Sequence, residues 1–298
     1  MSSQTAEHEV SPPISDWSAR VATWWAIFQI NFHEKLVYRG DFMLGTLMRF
    51  LPIVTQVFLW SAVFGAKAAQ QGDAVGETEI VGYSYHNIVA YYLLSTISRA
   101  FSSMPGLASG IALQIREGEI KKYLVQPLDL ISFFLLNRMA HKVTYYIMAI
   151  IPFVIVFYLC RGFFDGWPPP EIILAFIASL IMAFMIGFFM EASIGMIGFW
   201  FLEVRSLLFV YMLFSFFLSG HMFPLDMLTA LPGPWGVIVK SLPLMYLAYF
   251  PAAVFLGKIQ GWELVIGLLV QLAWVVAFMV ICRLAFHYGV KRYSGYGG

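Results

Sequence analysis

Charged residues are scarce in this 298-residue chain. Lysine, arginine, aspartate and glutamate make up 12% of it, while hydrophobic residues make up 60% and aromatic residues 17%. Since a soluble domain is about 25% charged, a water-soluble enzyme and a disordered chain are both excluded. The formal net charge is +1, so there is no basic excess to attract nucleic acid. The composition therefore predicts a protein surrounded by lipid.

Cysteine clusters and nucleotide-binding motifs are also missing. Cys160 and Cys282 are the only cysteines, and both lie in apolar runs, which fits neither a disulfide framework nor a zinc site. The chain contains no GxxxxGK(S/T) phosphate loop, no HExxH and no CxxC. We therefore expect no catalytic residue, metal or cofactor in this chain. Transport would need an ion gradient or a separate ATPase.

Long apolar stretches predict an all-α integral membrane protein. A helix crosses a bilayer core with about 20 residues, and six stretches meet that length. These predicted spans are residues 42–65, 86–112, 130–160, 171–199, 204–222 and 262–286. Together they form a predicted six-span domain over residues 40–288.

The two ends of the chain differ from this domain. Residues 1–15 are polar and predict a disordered tail, and residues 289–298 predict a second, C-terminal tail. Between the first tail and the spans, residues 16–39 place three tryptophans on one helical face, which is typical of an amphipathic helix lying in the membrane interface. Thirteen of the eighteen basic residues fall on the N-terminal side of the spans and four on the other. This positive-inside bias predicts that both termini are cytoplasmic.

The stretch before the last span contains five prolines. Within residues 223–257, two short apolar pieces at 235–242 and 244–256 are too short to cross the membrane. They predict re-entrant half-helices that dip into the outer leaflet. His221 and Asp226 flank residues 222–224 at the outer end of the fifth predicted span. Asp226 favours a helix-capping role, whereas His221 is open to interpretation as an outer gate, a metal ligand or neither.

A charged segment at residues 114–128 joins the second and third predicted spans on the cytoplasmic side. Five charges lie within seven residues: Arg116, Glu117, Glu119, Lys121 and Lys122. They either anchor the spans at lipid headgroups or belong to a short helix that presents charge to a cytoplasmic partner.

Few polar residues lie within the spans. Glu191 is a candidate substrate or proton contact, or a carboxyl group that holds helices together. Arg99 either pairs with an acidic residue or lines a pathway. Gly187, Gly195 and Gly198 could allow a close helix contact, although the GxxxG spacing is not met.

Aromatic residues are the remaining pathway candidates. Phe199, Trp200, Tyr211 and Phe214 either line a route for flat or cationic compounds or pack against lipid and neighbouring helices.

Four motifs occur in order along the chain: IREGEIKKYLVQPLDL at 115–130, FWFLEVRSL at 199–207, FSFFLSGHMFPLDML at 214–228 and LPLMYLAYFPAAVFLGK at 242–258. They resemble, respectively, the coupling helix, the inner end of the fourth span, the exit from the fifth span and the re-entrant signature of type-2 ABC exporter permeases. The chain is most similar to the ABC-2 family transporter branch, formerly listed as uncharacterised permeases.

The resemblance implies a second permease, identical or homologous, and two separate ATPase subunits that carry ATP and Mg. It implies that the coupling segment, with Arg116, Glu117, Gly118, Glu119, Lys121 and Lys122, docks to an ATPase. It also implies an outer re-entrant gate, which would contain His221, Pro224, Asp226, Pro243, Tyr246 and Pro251. Export of drug-like or lipid-like compounds from a bacterial inner membrane follows from the same resemblance.

Two other functions remain open on the residues alone. A self-sufficient secondary transporter or channel would use Glu191 and Arg99 as an ion or proton relay. A membrane-embedded enzyme would need clustered His, Asp or Glu residues near one interface, and the sequence offers no such cluster.

Overall fold

A computed structural model describes residues 17–37, 48, 51–72, 78–126, 128–164, 166–201, 203–229 and 232–293. The predicted tail 1–15, most of residues 40–50, Pro127 and the end of the predicted C-terminal tail lie outside these residues. Within the described residues the fold is all-α apart from one hairpin of two-residue strands, Glu79–Ile80 (β1) and Tyr83–Ser84 (β2), in which Glu79 pairs with Ser84.

Twelve α-helices are labelled here in chain order within the described residues. They are α1 (Trp17–Val37), α2 (Leu51–Gln71), α3 (Tyr85–Ser102), α4 (Leu107–Arg116), α5 (Lys121–Leu124), α6 (Leu130–Leu159), α7 (Pro170–Met196), α8 (Arg205–Leu218), α9 (Asp226–Thr229), α10 (Trp235–Ser241), α11 (Tyr249–Phe255) and α12 (Gly261–Arg292). Short 3₁₀ turns cover Arg161–Phe163, Ile197–Phe199 and Pro243–Leu247.

Four of the described helices are long and apolar enough to cross a membrane: α2, α6, α7 with its 3₁₀ extension, and α12. Local sequence explains where several helices begin. Ser84 caps α3 by accepting a hydrogen bond from the Asn87 amide at 3.2 Å, and Asp129 caps α6 by accepting one from the Ser132 amide at 2.8 Å. Pro170 occupies the first turn of α7, where its missing N–H costs nothing.

The predicted spans at 86–112 and 204–222 are not single helices long enough to cross a membrane. The stretch 86–112 is not one helix: α3 ends at Ser102, and α4 begins at Leu107 after a helix break at residues 103–106. Gly106 has a φ of +74°, a conformation that glycine adopts readily and that ends regular helix. The stretch 204–222 contains only the 14 residues of α8, about 21 Å of helix.

α7 is the central helix, and it packs against α3, α4, α11 and α12. The predicted close contact of its glycines is confirmed. A Cβ built on Gly187 would lie 2.0 Å from the carbonyl oxygen of Ser102, and one on Gly195 would lie 2.9 Å from that of Ala108. The backbone of α7 therefore approaches the α3–α4 pair directly on both sides of the helix break.

The N-terminal helix α1 packs along α6. Asn31 is buried at this contact, and its carbonyl oxygen accepts a hydrogen bond from the Asn137 amide group on α6. Trp25 and Ile30 are exposed on α1. Its position in the membrane interface stays a prediction.

Candidate functional site

The segment after α4 forms a tight turn anchored by one buried residue. Gly118 has a φ of +78°, and the Ile120 amide donates to the Gln114 carbonyl at 3.1 Å, which closes the end of α4. The Ile120 side chain is fully buried. The turn therefore holds the start of α5 at a defined place on the body of the protein.

The charged residues of this segment lie on its outside. Arg116, Glu117, Glu119, Lys121 and Lys122 are exposed, whereas Gly118 is half-buried. Their ion pairs are also exposed: Lys122 meets Glu119 at 2.9 Å, and Arg116 lies 3.8 Å from a carboxylate oxygen of Glu203. Exposed pairs of this kind contribute little stability, so a partner can replace them at small cost.

Two apolar side chains extend the same surface. Leu124 is 37% exposed and Val125 is 83% exposed, immediately after the lysines. Exposed apolar side chains bordered by charged ones match the apolar core and polar rim of a protein–protein contact.

Asp129, just after this segment, joins α6 to α12. Its carboxylate accepts two hydrogen bonds from the Arg283 guanidinium, one of them at 2.9 Å, and it also caps α6 through Ser132. Burial raises the pKa of Asp129, but the hydrogen bonds from Arg283 and Ser132 outweigh it and lower the pKa below its usual value.

The helix break between α3 and α4 is held by two basic side chains of α6. Lys142, which is buried, donates to the carbonyl oxygens of Ala100 and Ser103. Arg138 donates to the Pro105 carbonyl at 3.0 Å. The backbone groups that the break frees from helical bonding thus receive charged donors, which form the stronger kind of hydrogen bond.

Glu191 on α7 supplies the complementary acceptor. Its Oε1 atom accepts a hydrogen bond from the Met104 amide, inside the helix break, at 3.3 Å. Its carboxylate also interacts electrostatically with Arg99, Arg138 and Lys142. Glu191 therefore contacts the backbone of the break from α7.

Arg99, one turn before the break, lines a cavity of about 230 Å³, the Arg99 cavity. The cavity lies between α2, α3 and α6, and His221, which follows α8 in the chain, completes its wall. Its lining residues are Pro52, Thr96, Arg99, Ala100, Ser103, Tyr145 and His221. Arg99 interacts electrostatically with Glu191 and Tyr211, so the structure brings three of the residues predicted for the pathway into one neighbourhood.

The four predicted aromatic pathway residues do not share one environment. Phe199 is buried, with its ring 5.8 Å from that of Tyr293 and packed over Gly289. Trp200 is 36% exposed. Tyr211 and Phe214 lie on α8, where Tyr211 is half-buried and Phe214 is exposed. Their part in a pathway stays a prediction.

Asp226, the first residue of α9, is the centre of a polar cluster. It accepts hydrogen bonds from Tyr83 at 2.6 Å, Tyr249 at 2.7 Å and Lys240 at 2.6 Å. Burial raises the pKa of Asp226, but these hydrogen bonds outweigh it and lower the pKa below its usual value. The cluster borders a cavity of about 590 Å³, which Lys258 and Glu263 also line. Asp226 therefore ties α9, α10 and α11 to the hairpin.

The other residues predicted for the outer gate are mostly buried around this cluster. Pro224, Tyr246 and Pro251 are buried, while Pro243 begins a 3₁₀ turn. His221 is half-buried beside Phe216, with ring centroids 5.7 Å apart. No three His, Cys, Asp or Glu side chains form a group that could hold a metal ion in the described part of the chain.

Sequence reasoning missed Arg138 and Lys142 as residues of the helix break, and Tyr83 and Lys240 as partners of Asp226. The Pro105–Gly106 dipeptide is a turn signal that could have located the break within a predicted span. The partners of Asp226 come from distant positions, so no local signal exists for them.

The family model for ABC-2 family transporter proteins matches residues 50–297, well over half of the chain. No curated protein matches the chain. The matched range contains the coupling segment, the helix break, the Arg99 cavity and the Asp226 cluster. Members of this family are membrane transport components that associate with ABC ATPases, and they are not the catalytic subunits. The chain belongs to the ABC-2 family of transporter proteins.

Proposed function

We propose that this chain is the permease subunit of an ATP-driven exporter of amphipathic, drug-like or lipid-like compounds. It forms the translocation pathway with a second permease and docks to two separate ATPase subunits, which bind ATP and Mg. In this proposal α3 with α4, and α8, complete six spans in a bacterial plasma membrane, with both termini cytoplasmic. The positive-inside bias of the loops supports this orientation.

The shape of the segment after α4 is the observation that carries the proposal. Buried Ile120 fixes the turn, while the charges around it and Leu124 and Val125 are exposed. A rigidly held turn with weakly paired charges and exposed apolar side chains suits a docking surface that transmits force. Because α4 ends at this turn, a push on the turn acts on the helix next to the break.

The surface of α8 supports a second permease. Ser215 is the only buried side chain among the fourteen residues of this helix, although the helix is strongly apolar. Its large exposed side chains are Leu207, Phe209, Val210, Met212, Leu213, Phe214, Phe216 and Phe217. An apolar helix exposed on most of its surface suits contact with a second copy or a homologue.

Charge reversal in the coupling segment tests the proposal. The double variant Glu117→Lys, Glu119→Lys should lose copurification with the partner ATPase and should lose export. Glu171→Lys, an equally exposed reversal in the first turn of α7, is the matched control and should retain both.

Normal copurification and export by the double variant would refute the coupling role. Proton-driven transport by the chain alone in proteoliposomes would instead support the secondary transporter that uses Glu191 and Arg99.

A further inference from the structure

The charges near the helix break do not balance. Glu191 interacts with three cations, Arg99, Arg138 and Lys142. Glu34 lines a second cavity together with Arg138, so it can serve as the counter-ion of that arginine. Among the described residues, two carboxylates therefore face three cations. An excess charge inside a membrane protein is costly unless a partner offsets it.

Hydrogen bonding distinguishes the three cations. Lys142 donates to two carbonyls at the C-terminal end of α3, where the helix dipole is negative. Arg138 donates to the Pro105 carbonyl. Arg99 has electrostatic contacts with Glu191 and Tyr211, but no group in the described part of the chain accepts a hydrogen bond from its guanidinium.

The Arg99 cavity offers the space for a hydrogen-bond acceptor of this guanidinium. Its volume is about 230 Å³, whereas one water occupies about 30 Å³ and a drug-sized ligand needs at least about 300 Å³. Thr96, Tyr145 and His221 add polar groups to its wall. A cavity of this size holds an acidic head group and leaves the rest of a larger ligand outside.

We propose that the Arg99 cavity binds the oxyanion head group of an amphipathic substrate, such as a carboxylate or phosphate, through the Arg99 guanidinium. A guanidinium presents paired N–H donors that match two oxygens of such a group. The inference names the substrate class within the proposed export function and rests on that function for its biological role. The proposal argues against cationic compounds as substrates, which the aromatic residues had suggested.

Head-group preference can be measured on the full chain in neutral phosphatidylcholine nanodiscs, without an ATPase. Dodecanoate and dodecyltrimethylammonium share one tail and differ in charge, and at about pH 8 the carboxylate is ionised. Dodecanoate should bind and raise the melting temperature, and dodecyltrimethylammonium should not. Inorganic phosphate and acetate serve as anions that have no apolar tail. Their binding shows whether the cavity prefers a free anion or an amphiphile. We expect either anion to bind at least about tenfold more weakly than dodecanoate, since each lacks the apolar tail.

Arg99→Gln should weaken dodecanoate binding at least about tenfold, a typical effect of losing a charged hydrogen-bond donor. Arg161→Gln, which removes an exposed arginine outside the cavity, should leave it unchanged.

Equal binding of dodecanoate by Arg99→Gln, or preference of the parent for dodecyltrimethylammonium, would overturn the proposal. The second measurement needs no variant, so it decides even if Arg99→Gln fails to fold. Tight binding of phosphate or acetate would overturn the amphiphile assignment. Because no ATPase is present, none of these outcomes depends on the coupling role.

Discussion

Replacing Gly187 with alanine should destabilise the protein more than the same change at any other glycine of α7. The added Cβ would lie 2.0 Å from the Ser102 carbonyl oxygen, while a relaxed contact needs about 3.5 Å. Either α7 or α3 must therefore shift by more than about 1 Å. Overpacking costs about 1–3 kcal/mol. A contact as short as 2.0 Å belongs to the upper part of that range, above the gain of about 1 kcal/mol from replacing a helical glycine.

Three glycines, Gly187, Gly195 and Gly198, differ in how closely a neighbouring backbone approaches them. The nearest backbone atom would lie 2.9 Å from the new Cβ at Gly195 and 3.1 Å at Gly198, so the expected losses decrease in that order. At Gly198 the steric cost and the gain in helix propensity should nearly cancel. Gly65 on α2 and Gly110 on α4 have no atom within 4 Å of a built Cβ. Alanine at these two control positions should be neutral or stabilising by up to about 1 kcal/mol.

Thermal unfolding of the five alanine variants in one neutral detergent tests this order. The reasoning would be refuted if Gly187→Ala were as stable as the parent, since the α7 backbone could not then lie against Ser102. It would also fail if the two control variants lost as much stability as Gly187→Ala, because the losses would then reflect glycine flexibility and not helix contact.

Two further predictions concern polar contacts. Asp226→Asn should lower the melting temperature at about pH 7, because the carboxylate accepts three hydrogen bonds. Its folded pKa is lowered, so its contribution is present above the unfolded value of about 3.9 and is lost as the pH falls through the folded value. The parent and variant melting curves should therefore converge in acid, and a constant difference would contradict the assignment. Asn137→Leu should increase deuterium uptake in α1 selectively, because it removes the hydrogen bond to Asn31; unchanged uptake there would show that other contacts hold α1.

The long helices were the predictable part of the fold. Predicted spans at 130–160, 171–199 and 262–286 correspond to helical residues 130–159, 170–199 and 261–292. An uninterrupted apolar run in this length range has one favourable structure in lipid, because only a helix satisfies its backbone internally. The exposure of the charges in the coupling segment was also predictable, because charged side chains are costly to remove from water.

The helix break was not predictable from hydropathy. Apolar residues continue through it, and average hydropathy does not report where backbone hydrogen bonds change partners. Glu191 was identified as unusual because a carboxyl group in hydrocarbon is costly. Its contact with the Met104 amide, however, depends on where α7 passes the break, and that is a tertiary relation.

Backbone chemistry explains most of the charge inside this fold. The break frees carbonyl and amide groups from helical hydrogen bonding, and such groups are costly when they are buried without a partner. Lys142 and Arg138 satisfy carbonyls of residues 100, 103 and 105, and Glu191 satisfies the amide of residue 104. Three charged side chains thus have a structural reason to be present. Arg99 has no such backbone role, which separates it physically from its neighbours and makes it the residue at which a charged ligand is to be sought.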